Sequence, residues 1–213
     1  MRALLRLFFY LLYHPFAWAY DLVAALVSFG KWREWVFSVL PYVEGVRVLE
    51  LGHGPGHLQK ALQEQGFSAF GLDLSRQMGA LARQRLGDAA RLVQAKAQAL
   101  PFPKQSFACL IATFPSEYIL DRSTLEEAER VLQDGGKIIV LPGVRFRAAK
   151  WTWKLLGRLW QATGQEALPP LPVHGNLEWE ERLLPKRAVD VILWIGTKRE
   201  LPKKEMESDQ VQA

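Results

Sequence analysis

The chain is poor in cysteine, carries little excess of either charge and has no long uninterrupted apolar run. Its 213 residues include one cysteine, Cys109, which excludes a disulfide framework or a cysteine-built zinc cage and fits a reducing compartment. The 27 Lys and Arg against 22 Asp and Glu leave +5, an imbalance too small to select nucleic acid or anionic lipid as a partner. A transmembrane helix needs ~20 apolar residues, and Arg6, the His14–Pro15 pair and Asp21 interrupt the apolar N-terminus. His14, His53, His57 and His174 are scattered without metal-ligand spacing, so no metal is expected. What remains, 49% hydrophobic and 23% charged residues, suits one globular domain with an appendage.

Residues 1–42 hold 12 of the 24 aromatic residues, so that end is specialised. Its opening imitates a signal peptide, but the pattern runs unbroken into Tyr20–Val23 and Ser28–Trp32, and two short amphipathic helices at 2–13 and 16–28 are expected instead. From residue 46 short β-rich runs alternate with helical stretches, which implies a mostly parallel sheet covered on both faces. Strands are predicted at 46–51, 69–73, 91–95, 107–114, 137–142, 177–183 and 189–197, the last two as an antiparallel pair at the sheet edge. Ser75 is expected to cap a helix to Leu86. A capping box at Ser123–Glu126 would open a helix that ends before Gly135. The expected organisation is a helical cap over 1–44, a main domain over 45–200 and a flexible polar tail over 201–213.

The chemistry begins where an apolar strand runs into alternating glycines, Gly52, Gly54 and Gly56. A dinucleotide fingerprint requires its third glycine at position 57, which is His57. Glu50, two residues before the loop, would repel a pyrophosphate and favours a cationic ligand. Asp73 closes the second strand, 21 residues after Gly52, where a carboxylate can accept hydrogen bonds from both ribose hydroxyls. A nucleoside without phosphate and with a cationic arm satisfies both acids, and S-adenosylmethionine has that constitution.

Four segments in order, Glu50–Gly56, Gly71–Met78, Ala97–Phe102 with Ser106–Phe107, and Arg130–Lys137, resemble the class I S-adenosylmethionine-dependent methyltransferases. The resemblance implies an α/β, Rossmann-like fold with a seven-stranded sheet in the order 3-2-1-4-5-7-6, and S-adenosyl-L-homocysteine as product. Carried over to this chain, it implies that Gly52, Gly54 and Gly56 line the methionine half and Glu50 reaches the ammonium. Asp73 would hold the ribose, Leu74 and Met78 the adenine face, and Ala97 and Gln98 its edge, with Phe114 also beside the cofactor. Two positions depart from the family: Lys96 and Ala108 stand where many relatives have an acid. Tyr20–Val23 and Ser28–Trp35 further resemble the entry segment of the ubiquinone and menaquinone biosynthesis C-methyltransferases, which suggests a small, apolar, lipid- or quinone-like acceptor without singling out that quinone.

Methyl transfer needs in-line geometry and exclusion of water, with a base only if the acceptor must lose a proton. Glu117 and Tyr118, after the fourth strand, are the candidates for contacting or deprotonating the acceptor; Glu117 reads equally as a surface charge opening a helix. Residues 145–162 carry Arg145, Arg147, Lys150, Lys154 and Arg158 beside Trp151, Trp153 and Trp160, the composition either of an interfacial helix or of an ordinary helix with a basic edge. A cytoplasmic enzyme is expected, with peripheral contact with an anionic membrane surface, no DNA partner and RNA disfavoured. The alternatives are an RNA or protein methyltransferase and a non-catalytic cofactor-binding protein; the oligomeric state is left open.

Overall fold

A computed structural model describes residues 20–147, 171–172 and 175–199. Seven strands form one sheet: β1 (Arg47–Leu51), β2 (Ser68–Asp73), β3 (Leu92–Gln94), β4 (Phe107–Thr113), β5 (Leu132–Phe146), β6 (Leu177–Pro185) and β7 (Val189–Lys198). Their order is β3-β2-β1-β4-β5-β7-β6, as the family resemblance implied. The pairs among β1 to β5 are parallel, whereas β7 runs antiparallel to both β5 and β6. The edge hairpin follows from the absence of a helix between the last two β-rich runs, since only antiparallel neighbours can be joined by a tight turn.

The helices are α1 (Tyr20–Ser28), α2 (Trp32–Val36), α3 (His57–Glu64), α4 (Arg76–Leu86) and α5 (Arg122–Val131). Along β1, Val48 faces one core layer, with Cys109, Ile111, Ile139 and Leu141, while Leu49 faces the other, with Leu110, Ile138, Val140 and Trp194. This is the two-residue alternation of a strand covered on both sides. Trp35, Val36 and Val39 belong to the first layer, so α2 and the turn after it are part of the core.

The Ser28–Trp32 segment folds as a tight turn. Phe29 and Gly30 take positive φ, 50° and 75°. The buried Ser28 hydroxyl donates to the Ala24 carbonyl at 2.6 Å and accepts the Trp32 N–H at 2.9 Å, so one side chain ends α1 and starts α2. Ser75 caps α4 as expected, accepting the Met78 N–H at 3.2 Å. The Ser123 box does not form: α5 is capped two residues earlier, behind Asp121. Thr124 is buried with no hydrogen-bond partner for its hydroxyl. β5 extends well beyond 137–142 and takes in Arg145 and Phe146. Arg147 follows it and sits 3.2 Å from Asp190 of β7, so the basic stretch does not start as a helix at 145. The remainder of that stretch, the expected helix at 2–13 and the tail 201–213 lie outside the described residues.

Candidate functional site

β1 and β2 end side by side, with Glu50 paired to Gly71 and Leu51 to Leu72, and the glycine loop crosses their carboxyl ends. Its N–H groups at Gly52 and His53 both donate to the Leu72 carbonyl, at 2.7 and 3.1 Å. Gly52, Gly54 and Gly56 all have positive φ, 76°, 50° and 83°, a conformation that other residues adopt at a cost. Each glycine nevertheless has its own reason. A Cβ at Gly52 would lie 3.0 Å from the Tyr118 hydroxyl, one at Gly56 would lie 2.9 Å from the Ala82 Cβ, and one at Gly54 would meet nothing within 4 Å. Gly54 therefore faces open space in the cavity, whereas Gly56 is required for α3 to approach α4 and does not line the cavity.

Asp73 ties the loop to β2. One carboxylate oxygen accepts the Gly54 N–H at 2.9 Å and the other the Ser75 N–H at 2.8 Å. Each oxygen keeps a lone pair for a further donor. Glu50 is almost completely buried, and burial pushes its carboxyl up to about 8, the nearby Asp73 adding to the rise and a hydrogen bond from Gln59 opposing it. His53 is also buried, with Nδ1 2.7 Å from the Gly54 carbonyl. Desolvation holds its imidazole below the usual value although Asp73 pulls the other way.

The cavity over this loop has a volume of about 560 Å³. Its far wall is aromatic: Trp32 stacks on Phe114 at 4.0 Å with 27° between the rings, and Tyr20 meets Trp32 edge-on at 6.3 Å. Phe114, at the tip of β4, holds φ 48°, a strained value for a bulky residue that marks a position over-determined by its surroundings. Asp21 clamps α1 to the loop region: it accepts from His57 at 2.8 Å and from Arg85 at 3.1 Å, and Arg85 also donates to the Pro55 carbonyl.

Of the residues singled out from the sequence, Glu50, Gly52, Gly54, Asp73, Leu74, Ala97, Gln98, Phe114 and Tyr118 come together as cavity lining. Met78 is fully buried in the interior and does not line the cavity; the exposed Leu74 does. Glu117 also lies outside the lining and is exposed. The short turn Glu117–Leu120 points Tyr118 inward, its hydroxyl donating to the Leu51 carbonyl at 3.0 Å. Gln59, Asp21 and the Trp32–Phe114 stack were not identified from sequence.

Residues 49–140 match a family model described as a methyltransferase domain. Over this segment the chain is similar to methyltransferase domains. The chain is 32% identical over 142 residues to the ubiquinone/menaquinone biosynthesis C-methyltransferases of Edwardsiella ictaluri and Yersinia enterocolitica. Each alignment covers 61% of this chain and 56% of the relative, so the chain spans little more than half the length of these curated relatives. Among solved structures, the fold is shared with the YcgJ protein of Bacillus subtilis, TM-score 0.55 at 18% identity, over 79% of this chain and all of that one. It is also shared with an S-adenosylmethionine-dependent methyltransferase of Methanosarcina mazei, TM-score 0.53 at 17% identity, over 77% and 98%.

S-adenosylmethionine is the cofactor that such a domain implies, and the site fits it. The open side of Gly54 leaves room against the loop backbone, Asp73 retains acceptor capacity, and Glu50 is a buried acid facing the cavity. The two departures from the family differ in consequence. Ala108 lies against Gly45, where an added Cβ would come within 2.2 Å of its own, and does not line the cavity; Lys96 does. Gln98 donates to Asp121 at 2.7 Å, which engages one of its two amide hydrogens.

Proposed function

We propose that the protein transfers a methyl group from S-adenosylmethionine to a small, apolar or quinone-like acceptor. The observation that carries this reading is the division of the cavity into a polar floor and an aromatic wall. Glu50, Asp73 and the glycine loop form the floor, and Tyr20, Trp32, Val36 and Phe114 form the wall. The sulfonium of the cofactor supplies an activated methyl group. The protein then has to orient and dehydrate: Asp73 fixes the ribose hydroxyls, Glu50 matches the cationic arm, and the Trp32–Phe114 stack excludes water on the acceptor side. The relatives named as quinone C-methyltransferases support an apolar acceptor, and Tyr118, the lining member of the Glu117–Tyr118 pair, is the residue assigned to acceptor contact.

The reading includes peripheral contact with an anionic membrane surface, from which such an acceptor would be drawn. Leu22 and Leu26 support it: four residues apart on α1, they are 60% and 65% exposed. Among the described residues no helix is long and apolar enough to cross a membrane. Incubation with methyl-labelled cofactor and either a lipid extract containing quinols or an RNA pool tests the proposal. Label in the lipid fraction is the expected result. Label in RNA supports the nucleic-acid alternative, and binding without transfer supports the non-catalytic one, which Lys96 in the cavity lining favours.

A further inference from the structure

Glu50 does not stand alone beneath the loop. Gln59, on the first turns of α3, is completely buried, and its amide nitrogen donates to one Glu50 carboxyl oxygen at 2.9 Å and to the Phe70 carbonyl of β2 at 3.0 Å. Both amide hydrogens are thereby used. The amide oxygen of Gln59, by contrast, is buried and has no hydrogen-bond partner, a condition that native interiors avoid. Turning the amide over would place that oxygen against the Glu50 carboxyl and the Phe70 carbonyl, two acceptors. The orphaned oxygen is thus the cost of presenting two donors to Glu50 and Phe70.

The surroundings are shaped to admit this arrangement. Gly71, paired with Glu50 across the sheet, would with a Cβ approach the Gln59 amide carbon to 3.2 Å and His53 Cδ2 to 2.9 Å. Strand β2 thus lacks a side chain where Gln59 and His53 meet. Gln59 does not line the cavity, whereas Glu50 does. Its effect on a ligand must therefore pass through Glu50.

We propose that Gln59 is a positioning residue that holds Glu50 by one oxygen, favours its ionised form, and so sets the pH range over which the site accepts a cationic cofactor. The inference rests on the reading of Glu50 as the partner of the cofactor's cationic arm. A hydrogen bond to a carboxylate stabilises the charge, whereas burial and the neighbouring Asp73 oppose it. The other titratable or charged groups near Glu50 are His53 in the glycine loop, with Arg33 on α2, His57 on α3 and Lys96 after β3 also lining the cavity. Replacement of Gln59 leaves all of them in place.

Gln59→Met retains length and apolar bulk and removes the donor. In the ligand-free protein, carbon-13 labelling of glutamate carboxyls, assigned with Glu50→Gln, reads the Glu50 titration directly. The midpoint is expected near pH 8 in the native chain and about one unit higher or more in Gln59→Met. In calorimetry with S-adenosylhomocysteine between pH 6 and 9.5, the variant should bind about tenfold more weakly at pH 7, one unit of midpoint being a factor of ten. It should bind within about threefold of the native chain above pH 9. In a Glu50→Gln background the same replacement should change affinity equally at every pH. An unmoved carboxyl midpoint overturns the role of Gln59, whatever the ligand data show. A native chain whose carboxyl titrates as expected but which binds no S-adenosylhomocysteine overturns the cofactor reading, and with it the functional half of this inference. Should Gln59→Met fail to fold, Gln59→Leu carries the same comparison.

Discussion

The acids of the floor divide their work by environment. Glu50 releases its proton near pH 8 in the folded chain against 4.5 as a free side chain, so between those values the folded protein holds more protons than the unfolded one and loses stability as pH rises. His53 and His57 are both depressed by desolvation, and they act with the opposite sign, costing stability as pH falls below 6.5. The two effects overlap at acid pH. Glu50→Gln keeps both histidines, so between pH 6.5 and 8 its difference from the native chain isolates the Glu50 contribution. Without ligand, thermal melting of Glu50→Gln should therefore gain on the native chain progressively across that interval, and parallel melting curves would contradict a buried, protonated Glu50. Asp73 is the other case. Its carboxylate already accepts two backbone donors, so Asp73→Ala loses the tether of the loop and, on the proposed reading, the ribose contact as well. A loss of about 1.5–3 kcal/mol, roughly 10- to 150-fold in cofactor affinity by calorimetry, is expected. Glu50, Asp73 and the glycines were legible because strand, glycine run and acid fall at fixed spacing along one β-α-β unit. Gln59 and the Asp21 clamp were not, since their meaning lies in partners: Glu50 across the loop for one, and His57 and Arg85, 36 and 64 residues away, for the other.

Among the elements, the edge hairpin followed from the alternation of patterns, the sheet order from the resemblance to the class I methyltransferases, and the helix ends followed less well. Ser75 caps α4 because it is extended and its hydroxyl reaches the Met78 N–H. At α5 the Ser123 box loses to Asp121, which occupies the N-cap position with extended φ and ψ, while its carboxylate accepts from Gln98. The Thr124 side chain is buried instead of exposed. Spacing alone cannot rank two caps two residues apart when a third element holds one of them. The closeness of α3 and α4 makes a sharper prediction. Gly56 and Gly66 have nearly equal φ, 83° and 85°, but a Cβ at Gly56 would lie 2.9 Å from Ala82 Cβ and 3.2 Å from its Cα, whereas one at Gly66 would meet nothing within 4 Å. Gly66→Ala should cost the left-handed strain alone, about 1–2 kcal/mol. Gly56→Ala should cost about 1–3 kcal/mol more through overpacking, read as a difference in unfolding free energy by denaturant titration. Equal costs would mean that α3 and α4 can separate freely.

At the scale of the whole molecule, the aromatic-rich N-terminus and the cavity face one another through Tyr20 and Trp32, which line the site from the cap side. The inward side of α1 also carries Asp21, bound to His57 and Arg85. Its outward side presents Leu22 and Leu26, and the sequence leading into it, residues 1–19, is largely apolar and aromatic with Arg2 and Arg6. Residues 145–162 add five Lys and Arg and no acid, and together with residues 1–44 they hold six of the eight tryptophans. A cap with one face on the cavity and the other on a bilayer would let an apolar acceptor pass between them without crossing water. Each cationic residue near an anionic surface contributes about 1 kcal/mol, which suits reversible binding that salt can reverse. Flotation with vesicles should therefore recover the protein only when anionic lipid is present, and less of it at high salt. Leu22→Asp with Leu26→Asp should abolish recovery through the apolar contact, and Lys150→Glu, Lys154→Glu and Arg158→Glu together should abolish it through charge, while both variants keep their affinity for S-adenosylhomocysteine. Protein that stays unbound with anionic vesicles at low salt contradicts membrane contact and leaves the cavity to an acceptor that arrives through water.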